Sequence, residues 1–571
     1  MKGSVLSKIR FWISDLFETR KDIVAALSVL FFILTAILKI AVFNHMLVPN
    51  ADKWMFRYKV LITGLIVLMT YPILFRFRKR TLLIVFYIAQ VLYIVINMSY
   101  YLYFHNYLHV EQFISNFFEG ATAVLNASSP NNPVLLTAVA DLPFFISLLV
   151  LYPRVNRLRI KLKVPAAAVI ILSLLITAIA QYGHYKDNVF ITHIANSLRY
   201  GESFIVQRYG TLANSIVSIS KIGNEQQLIE SFRYGPERTN EKTESNNPDI
   251  FIVQVESLES EIINKKHNGS YIMPFMNSLT RESVYYPYMV SYHFYGGTSD
   301  CEFSAINTVE PLTYYTSIKL ISYDYPNSFV KQLKNGPYKA YAFHGNIGRY
   351  YNRDIAFKSF GFDEFFDIAG MDMKDVGWGA PDDQVLDFSL NVLKDAGAPV
   401  LSYVITMSSH GPFTNVSYYY DDPAFSSIED KKLRGCYNSM AYVDRTLKEY
   451  VTKIRENYDN AYIIIYGDHT PQIGNEAYKE AFTIIGDYRY EFVPLFIITP
   501  DGKKYREGKQ AASLIDVAPT VLNISGVEYS IRTDGKDLLD FDEKAGTIPF
   551  RGLEWDRAEL LGRITEALET E

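Results

Sequence analysis

The chain has 571 residues, 49% of them hydrophobic and 15% aromatic, and a formal net charge of −5. That length allows several domains, and the charge excludes a global basic field of the kind that gathers nucleic acid. Cys301 and Cys436 are the only cysteines, and with no CxxC pair a structural zinc site of thiolates is excluded; a disulfide between them stays open, because their spacing does not demand one.

The apolar content is concentrated in the first third of the chain. Five runs, 23–43, 60–75, 82–103, 134–152 and 164–182, read as membrane spans, each near the ~20 apolar residues that cross a bilayer. Lys39 and Asp141 interrupt two of them. An intramembrane charge either serves function or snorkels or pairs. The first run is too long, and too closely followed by others, for a cleaved signal peptide. The "AIA" at 178–180 resembles a signal-peptidase site, and small residues in a helix explain it equally well.

Orientation follows from the basic residues of short loops. Lys2, Lys8, Arg10, Arg20 and Lys21, the loop "RFRKR" (76–80) and the loop "RVNRLRIKLK" (154–163) are basic, whereas 104–133 has no lysine or arginine. Lys53, Arg57 and Lys59 count the other way. The balance puts the N-terminus in the cytoplasm and, after five spans, everything beyond residue 182 outside. The aromatic stretch "FHNYLHVEQFISNFFEG" reads equally as an interfacial helix or a packed loop.

Residues 183–246 read as a helical connector that ends in a polar linker, "GPERTNEKTESNNPD" (235–249). Beyond it, short β-rich runs alternate with helical patterns, the signature of an α/β domain with a mainly parallel sheet. Four runs end in residues able to bind metal: "DIFIVQVE" at Glu256, "YKAYAFHG" at His344, "PVLSYVITMSSHG" at His410 and "NAYIIIYGDH" at Asp468 and His469. Buried parallel strands read as continuous apolar runs, and ligands of open α/β sheets gather beyond the carboxyl ends of strands. A single strand followed by a histidine is usually a satisfied polar group; four such ends point to a site.

Thr298 follows Gly296–Gly297 and precedes a predicted helix, "SDCEFSAIN". Ser299 and Glu302 match the capping box S-x-x-E. That leaves Thr298 just before a helix N-terminus, where free N–H groups favour an anion. A threonine hydroxyl is a weak nucleophile at neutral pH, and coordination to a divalent cation would activate it. The strand-end carboxylates and histidines could supply that cation's other ligands. Cys301 reads as a small buried residue on the same helix, and His293 and Tyr295 as residues that flank and shape the pocket. Asp382 and Asp383 in "WGAPDDQVL" (378–386) read as helix caps rather than metal ligands, and the tail "LEWDRAELLGRITEALE" as a plain amphipathic helix.

In this order after the apolar runs, "VQVESLES", "GGTSDCEF", "SSHGPF" and "YGDHTPQ" resemble the lipoteichoic acid synthase family, membrane-anchored phosphoglycerol transferases of the alkaline phosphatase and sulfatase superfamily. "LIDVAPTVLNISG" (514–526) is similar to the superfamily's late Asp-x-x-Pro-Thr helix. The resemblance covers nearly the whole chain. It implies a five-span α-helical membrane bundle over 1–182, a connector over 183–246, an extracytoplasmic sulfatase-like catalytic domain over 247–545 and a C-terminal helix over 546–571, in a bacterial plasma membrane. It implies that Glu256, Thr298, Asp468 and His469 bind one divalent metal, Mn²⁺ foremost with Mg²⁺ or Zn²⁺ as alternatives. Thr298 would be the nucleophile, with His410, His344, Arg353 and Tyr351 around the substrate; a planar, always charged arginine suits a phosphate.

The implied reaction moves glycerophosphate from phosphatidylglycerol through a covalent phospho-threonine to an envelope acceptor. That acceptor would be a glycolipid, a polyglycerolphosphate chain or a glucan, and nucleic acid is not among the partners. Two departures stand out: Gly297 where relatives often carry a basic residue, and Tyr351 where they often carry tryptophan. The C/S-x-P-x-R motif of formylglycine sulfatases is absent. Phosphoethanolamine transferases share the layout but usually carry several disulfides. A metal-dependent phosphodiesterase would use the same covalent step, and a non-catalytic envelope scaffold would not need the complete Glu/Thr/Asp/His set.

Overall fold

The computed structural model describes residues 20–47, 80–104, 138–153, 210–221, 225–240 and 247–570, together with residues 64, 108 and 206 and apart from short gaps between 314 and 545. The chain divides into two compact units, Met1–Asn224 and Glu225–Glu571.

In the first unit the described helices are α1 (Arg20–Leu47), α2 (Arg80–Phe104), α3 (Leu142–Val150) and α4 (Thr211–Lys221). α1 and α2 are long and apolar enough to cross a membrane, by length and composition. Their apolar residues, such as Leu34, Leu38, Val85 and Ile88, are exposed. The charges that interrupt the apolar runs are turned inward and pair. Lys39 Nζ donates to both carboxylate oxygens of Asp141, at 2.9 and 3.0 Å, and Tyr87 Oη donates to the same group at 3.1 Å. Lys39 and Asp141 are both buried, so pairing, not snorkelling, accounts for them. α3, with Pro143 in its first turn, covers only part of the 134–152 run. Apart from residues 64, 104 and 108, the expected spans 60–75 and 164–182, the 104–133 stretch and the "AIA" lie outside the described residues.

The second unit is built on a ten-stranded sheet. Its principal strands are β1 (Asp249–Val255), β2 (Val284–Val290), β3 (Lys339–His344), β4 (Glu364–Phe366), β5 (Val400–Ile405), β6 (Ala461–Gly467), β7 (Tyr488–Ile498) and β8 (Tyr505–Arg506). They lie in the order β8-β2-β7-β6-β1-β5-β3-β4. From β6 to β4 all neighbours are parallel. β7 runs antiparallel to both β6 and β2, so the sheet is mixed. Helices α5 (Thr298–Asn307), α6 (Arg353–Phe360), α7 (Asp382–Lys394), α8 (Lys431–Asn457), α9 (Val517–Ser525) and α10 (Arg557–Thr570) accompany it. Residues 250–255 of β1 and all of β5 are buried, which is why these runs carry little alternation.

Part of the expected linker is ordered sheet: Glu237–Asn240 pairs antiparallel with Tyr529–Arg532. Its polarity hid the strand, because the partner that pairs its backbone lies far along the chain. α10 is likewise more than an amphipathic tail. Arg557, at its start, forms a buried bidentate pair with Asp516, Nη1 to Oδ2 at 2.8 Å and Nη2 to Oδ1 at 2.7 Å. This ties α10 to the turn that leads into α9. Removing one partner of such a pair leaves an uncompensated buried charge. Arg557→Met should therefore destabilise the second unit by about 3–5 kcal/mol, read by urea unfolding of the full chain, whereas an unchanged midpoint would show that α10 adds little.

Candidate active site

Four adjacent parallel strands, β6, β1, β5 and β3, end at one edge of the sheet. Val255 is in register with Gly467, Gln254 with Ile405, and Ile405 with His344. The first residues beyond β1 and β6, Glu256 and Asp468, are therefore side by side. Gly467 permits this close approach, because a Cβ there would sit 1.8 Å from the Leu258 carbonyl oxygen.

Glu256 and Asp468 are 1% and 0% exposed, so both carboxylates are taken out of water. His469 Nε2 lies 3.1 Å from Glu256 Oε1 and 3.8 Å from Asp468 Oδ1. Asp468 Oδ1 accepts from the backbone N–H groups of Ser257 and His469, both at 2.7 Å, while Oδ2 is buried with no hydrogen-bond partner. Thr298 Oγ1 donates to Glu256 Oε2 at 3.1 Å. The sequence-predicted set of Glu256, Thr298, Asp468 and His469 is thus gathered at one point. Glu256, Asp468 and His469 can each offer a ligand atom to a common ion, and the orphaned Asp468 oxygen is the kind of donor a cation satisfies. Oxygen donors with one imidazole nitrogen fit a divalent ion of the Mg²⁺, Mn²⁺ or Zn²⁺ type.

The electrostatics express the same crowding. Burial alone would raise the Glu256 carboxyl, but His469 and His410 beside it hold it well below the ordinary carboxylate range. Burial and the neighbouring Glu256 push Asp468 well above that range. Burial opposes charge on His469, yet Asp468 and Glu256 raise it well above the usual imidazole value. Glu259, equally buried and with no ion pair among the described residues, is pushed up to about 8 by that burial. A proton or a cation is therefore required wherever two of these carboxylates meet.

α5 begins at Thr298 itself, with Gly297 as its cap residue at φ +57° and no side chain capping it. The expected capping box is not formed. Ser299 lies inside the helix and donates its hydroxyl to the Gly296 carbonyl at 2.7 Å, and it is Asp300 that reaches back to the Gly296 N–H at 2.6 Å. Glu302 points to another partner, Arg353, whose Nε donates to its two oxygens at 2.8 and 3.1 Å. Cys301 is buried on α5, with Sγ 3.2 Å from the Asp468 carbonyl oxygen; it and Cys436 are both free thiols.

The predicted substrate residues border this cluster. Arg353 is buried, and its Nη1 donates to His344 Nε2 at 3.2 Å. Burial and the Arg353 charge keep His344 well below its ordinary value, hence neutral. Tyr351 and Asn352 occupy the left-handed region at φ +56° and +62°, a strain of about 1–3 kcal/mol each, and the Arg353 guanidinium lies 5.4 Å from the Tyr351 ring centre. His410 stacks on Trp378 at 4.3 Å, its Nδ1 turned to the Gly411 carbonyl.

Among the other contributors Gln254 carries no local signal, whereas Asp382, Asp383 and His293 are flagged by sequence without the partners they find. Gln254 donates to the Thr298 carbonyl at 3.4 Å and accepts from Tyr403 and Tyr466 at 2.8 and 3.0 Å, which fixes the Thr298 loop to the sheet. Asp382, read from sequence as a cap, accepts from Met407 N at 2.7 Å and from Ser408 N, and so braces the turn that presents His410; burial pushes its carboxyl up to about 7. Asp383 accepts from Tyr442 Oη at 2.7 Å. His293 stacks on His469 at 4.2 Å and directs Nδ1 to Glu491 at 3.2 Å. Loss of a metal's outer partner typically weakens affinity by roughly 10–100-fold. Asp468→Asn should weaken Mn²⁺ binding by more than that in calorimetric titration of the chelator-stripped chain, and equal affinities would remove Asp468 from the ligand set.

Residues 248–527 match the family model described as Sulfatase. The chain is 30% identical over 308 residues to the lipoteichoic acid synthase-like protein YvgJ of Bacillus subtilis, covering 51% of this chain and 50% of that protein. It is 29% identical over 359 residues to a lipoteichoic acid synthase of Staphylococcus aureus, covering 58% and 54% respectively. The chain thus spans about half the length of the curated relatives it matches. Among solved structures, the integral membrane lipooligosaccharide phosphoethanolamine transferase A of Neisseria meningitidis superposes with a TM-score of 0.56 at 13% identity, over 90% of this chain and 97% of that one. That is a likeness of fold. With Thr298 at the head of a helix beside a Glu–Asp–His cluster, the second unit of this chain contains a sulfatase domain of the alkaline phosphatase superfamily, and its curated relatives are lipoteichoic acid synthases.

Proposed function

We propose that this protein is a membrane-anchored, metal-dependent phosphoglycerol transferase. It would carry glycerophosphate from phosphatidylglycerol to an envelope acceptor: a glycolipid, a polyglycerolphosphate chain or a glucan. The observation that carries this reading is the Thr298 hydroxyl, 3.1 Å from a Glu256 carboxylate that is itself buried beside Asp468 and His469. A structural threonine has no need of such surroundings. The similarity to lipoteichoic acid synthases supports phosphoglycerol as the transferred group.

Glu256, Asp468, His469 and Thr298 would hold one divalent cation, Mn²⁺ foremost. When bound, that ion would supply Lewis acidity and favour the ionised Thr298 hydroxyl. Glu256 Oε2 is placed to orient the Thr298 O–H. In the first step Thr298 Oγ forms a bond to phosphorus as the phosphorus–oxygen bond to diacylglycerol breaks, the threonine proton ending on the departing diacylglycerol hydroxyl and a glycerophosphoryl-threonine remaining. In the second, an acceptor hydroxyl takes that group and Thr298 regains its proton. Arg353, His344, His410 and Tyr351 would hold the phosphoryl oxygens and the glycerol, with Glu302 and Asp382 keeping Arg353 and His410 in position.

The apolar helices α1 and α2 support an anchored enzyme whose donor and diacylglycerol product stay in the bilayer. Five spans with a cytoplasmic N-terminus would put the catalytic domain outside. This assignment divides the chain as 1–182, 183–246, 247–545 and 546–571.

The test is incubation of the purified, Mn²⁺-loaded full chain with labelled phosphatidylglycerol. The expected result is released diacylglycerol and a mass increase of one glycerophosphoryl group on the peptide that contains Thr298. Thr298→Ala should lower turnover by at least about 10³-fold, since loss of an enzymatic nucleophile costs up to ~10⁶. Undiminished turnover by that variant would refute the assignment. A parallel arm with phosphatidylethanolamine separates the two transferase classes, and one without acceptor alcohol separates transfer from hydrolysis.

A further inference from the structure

The motif that begins at Trp378 lays an indole against one of the predicted substrate residues. Trp378 stacks on His410 with ring centres 4.3 Å apart and planes 20° apart. The main chain under His410 is well fixed. Its N–H donates to the Met407 carbonyl at 3.0 Å, its carbonyl accepts from the Phe413 N–H at 3.2 Å, and Asp382 holds the N–H groups of Met407 and Ser408. These bonds fix where the side chain starts. The plane of the ring is a separate matter, because the outer torsion of a histidine is broad. Among the described residues the ring has one hydrogen-bond contact, Nδ1 to the Gly411 carbonyl, and that carbonyl belongs to the next residue of the same turn. Trp378 is the partner from another segment.

Trp378 is itself built into place. It stands between Gly377 and Gly379, whose φ angles of +135° and +107° favour glycine. Asp375 Oδ1 accepts from the N–H groups of both glycines, at 2.7 and 2.9 Å, and the Val376 N–H donates to the Gly379 carbonyl at 3.0 Å. On the far side the Ala380 N–H donates to the Gly345 carbonyl at 2.7 Å. A Cβ on Gly379 would lie 2.5 Å from that same oxygen, so the loop meets the end of β3 only because residue 379 lacks a side chain. Residues 375–380 therefore join the two strand ends that carry His344 and His410, and the indole is the part of the loop that reaches the His410 ring.

We propose that Trp378 is a positioning residue for the transfer: its indole sets the plane of the His410 ring, so that the imidazole holds one orientation when the phosphoglycerol head group arrives. A group fixed before the substrate binds loses no rotational freedom at the moment of reaction. This rests on the transferase reading above, which places His410 at the head group, and it adds the residue through which the 375–380 loop acts on that contact.

A double-mutant cycle tests it on the Mn²⁺-loaded full chain, with kcat/KM for phosphatidylglycerol as the readout. Trp378→Leu keeps an apolar side chain and removes the flat face; it should lower kcat/KM about 3–10-fold, the scale of one stacked ring pair. Trp378→Phe restores a flat face and should stay within about twofold of wild type. His410→Ala should cost about 10–100-fold, the scale of a hydrogen bond to a charged group. In that background Trp378→Leu should cost no more than about twofold further, with bound Mn²⁺ unchanged throughout. No loss in Trp378→Leu, an equal loss in Trp378→Phe, a full additional loss on top of His410→Ala, or a drop in bound Mn²⁺ would each overturn the inference, the last two by showing that Trp378 acts elsewhere. If His410→Ala alone keeps full turnover, or the wild-type chain forms no Thr298 adduct, the reading of the site falls and this inference with it.

Discussion

Two carboxylates buried side by side set the terms for everything around them. Register between β1 and β6 brings Glu256 and Asp468 together at the sheet edge, and both are withdrawn from water. Like charges so placed cannot both ionise without compensation. His469 and the backbone N–H groups of Ser257 and His469 supply part of it, and a cation would supply the rest at the unpartnered Asp468 oxygen. The hydroxyl of Thr298 joins the cluster on the Glu256 side, so the groups that make the carboxylates costly to bury also make the threonine unusual.

Such a cluster holds its shape only if its supports are rigid. Gln254 and the buried tyrosines 403 and 466 tie the Thr298 loop to three neighbouring strands. Asp382 braces the turn that carries His410, and Glu302 fixes Arg353, which in turn holds His344 neutral. The strained Tyr351–Asn352 pair is stored next to these contacts, as backbone strain often is at functional sites. The first unit meets a related problem on its own: Lys39 and Asp141 lie among apolar helices and are tolerated because they neutralise each other, with Tyr87 completing the group.

Much of the candidate site was legible because its signals are local. Glu256, His344, His410 and Asp468–His469 each close or closely follow an apolar run, and a run of that kind reports a buried strand whatever its neighbours are. The capping box at Ser299 and Glu302 misled for the converse reason: the spacing S-x-x-E is a local pattern, and a buried arginine 51 positions away from Glu302 outbid the backbone for the carboxylate. Asp382 misled in the same way, since its acceptors' partners lie 25 and 26 positions on.

By itself, the sequence determined the apolar helices, the strand ends that carry Glu256, His344, His410 and Asp468–His469, and the threonine at the head of a helix, because hydropathy and short spacings act within a few residues. Only the tertiary structure decided that these ends are neighbours in one mixed sheet, that Glu302 serves Arg353, that the segment around 237–240 is a strand, and that His293 stacks on His469. Those outcomes depend on register, on which buried charge finds a partner and on where a missing Cβ opens space, and such quantities exist only once distant segments have packed together.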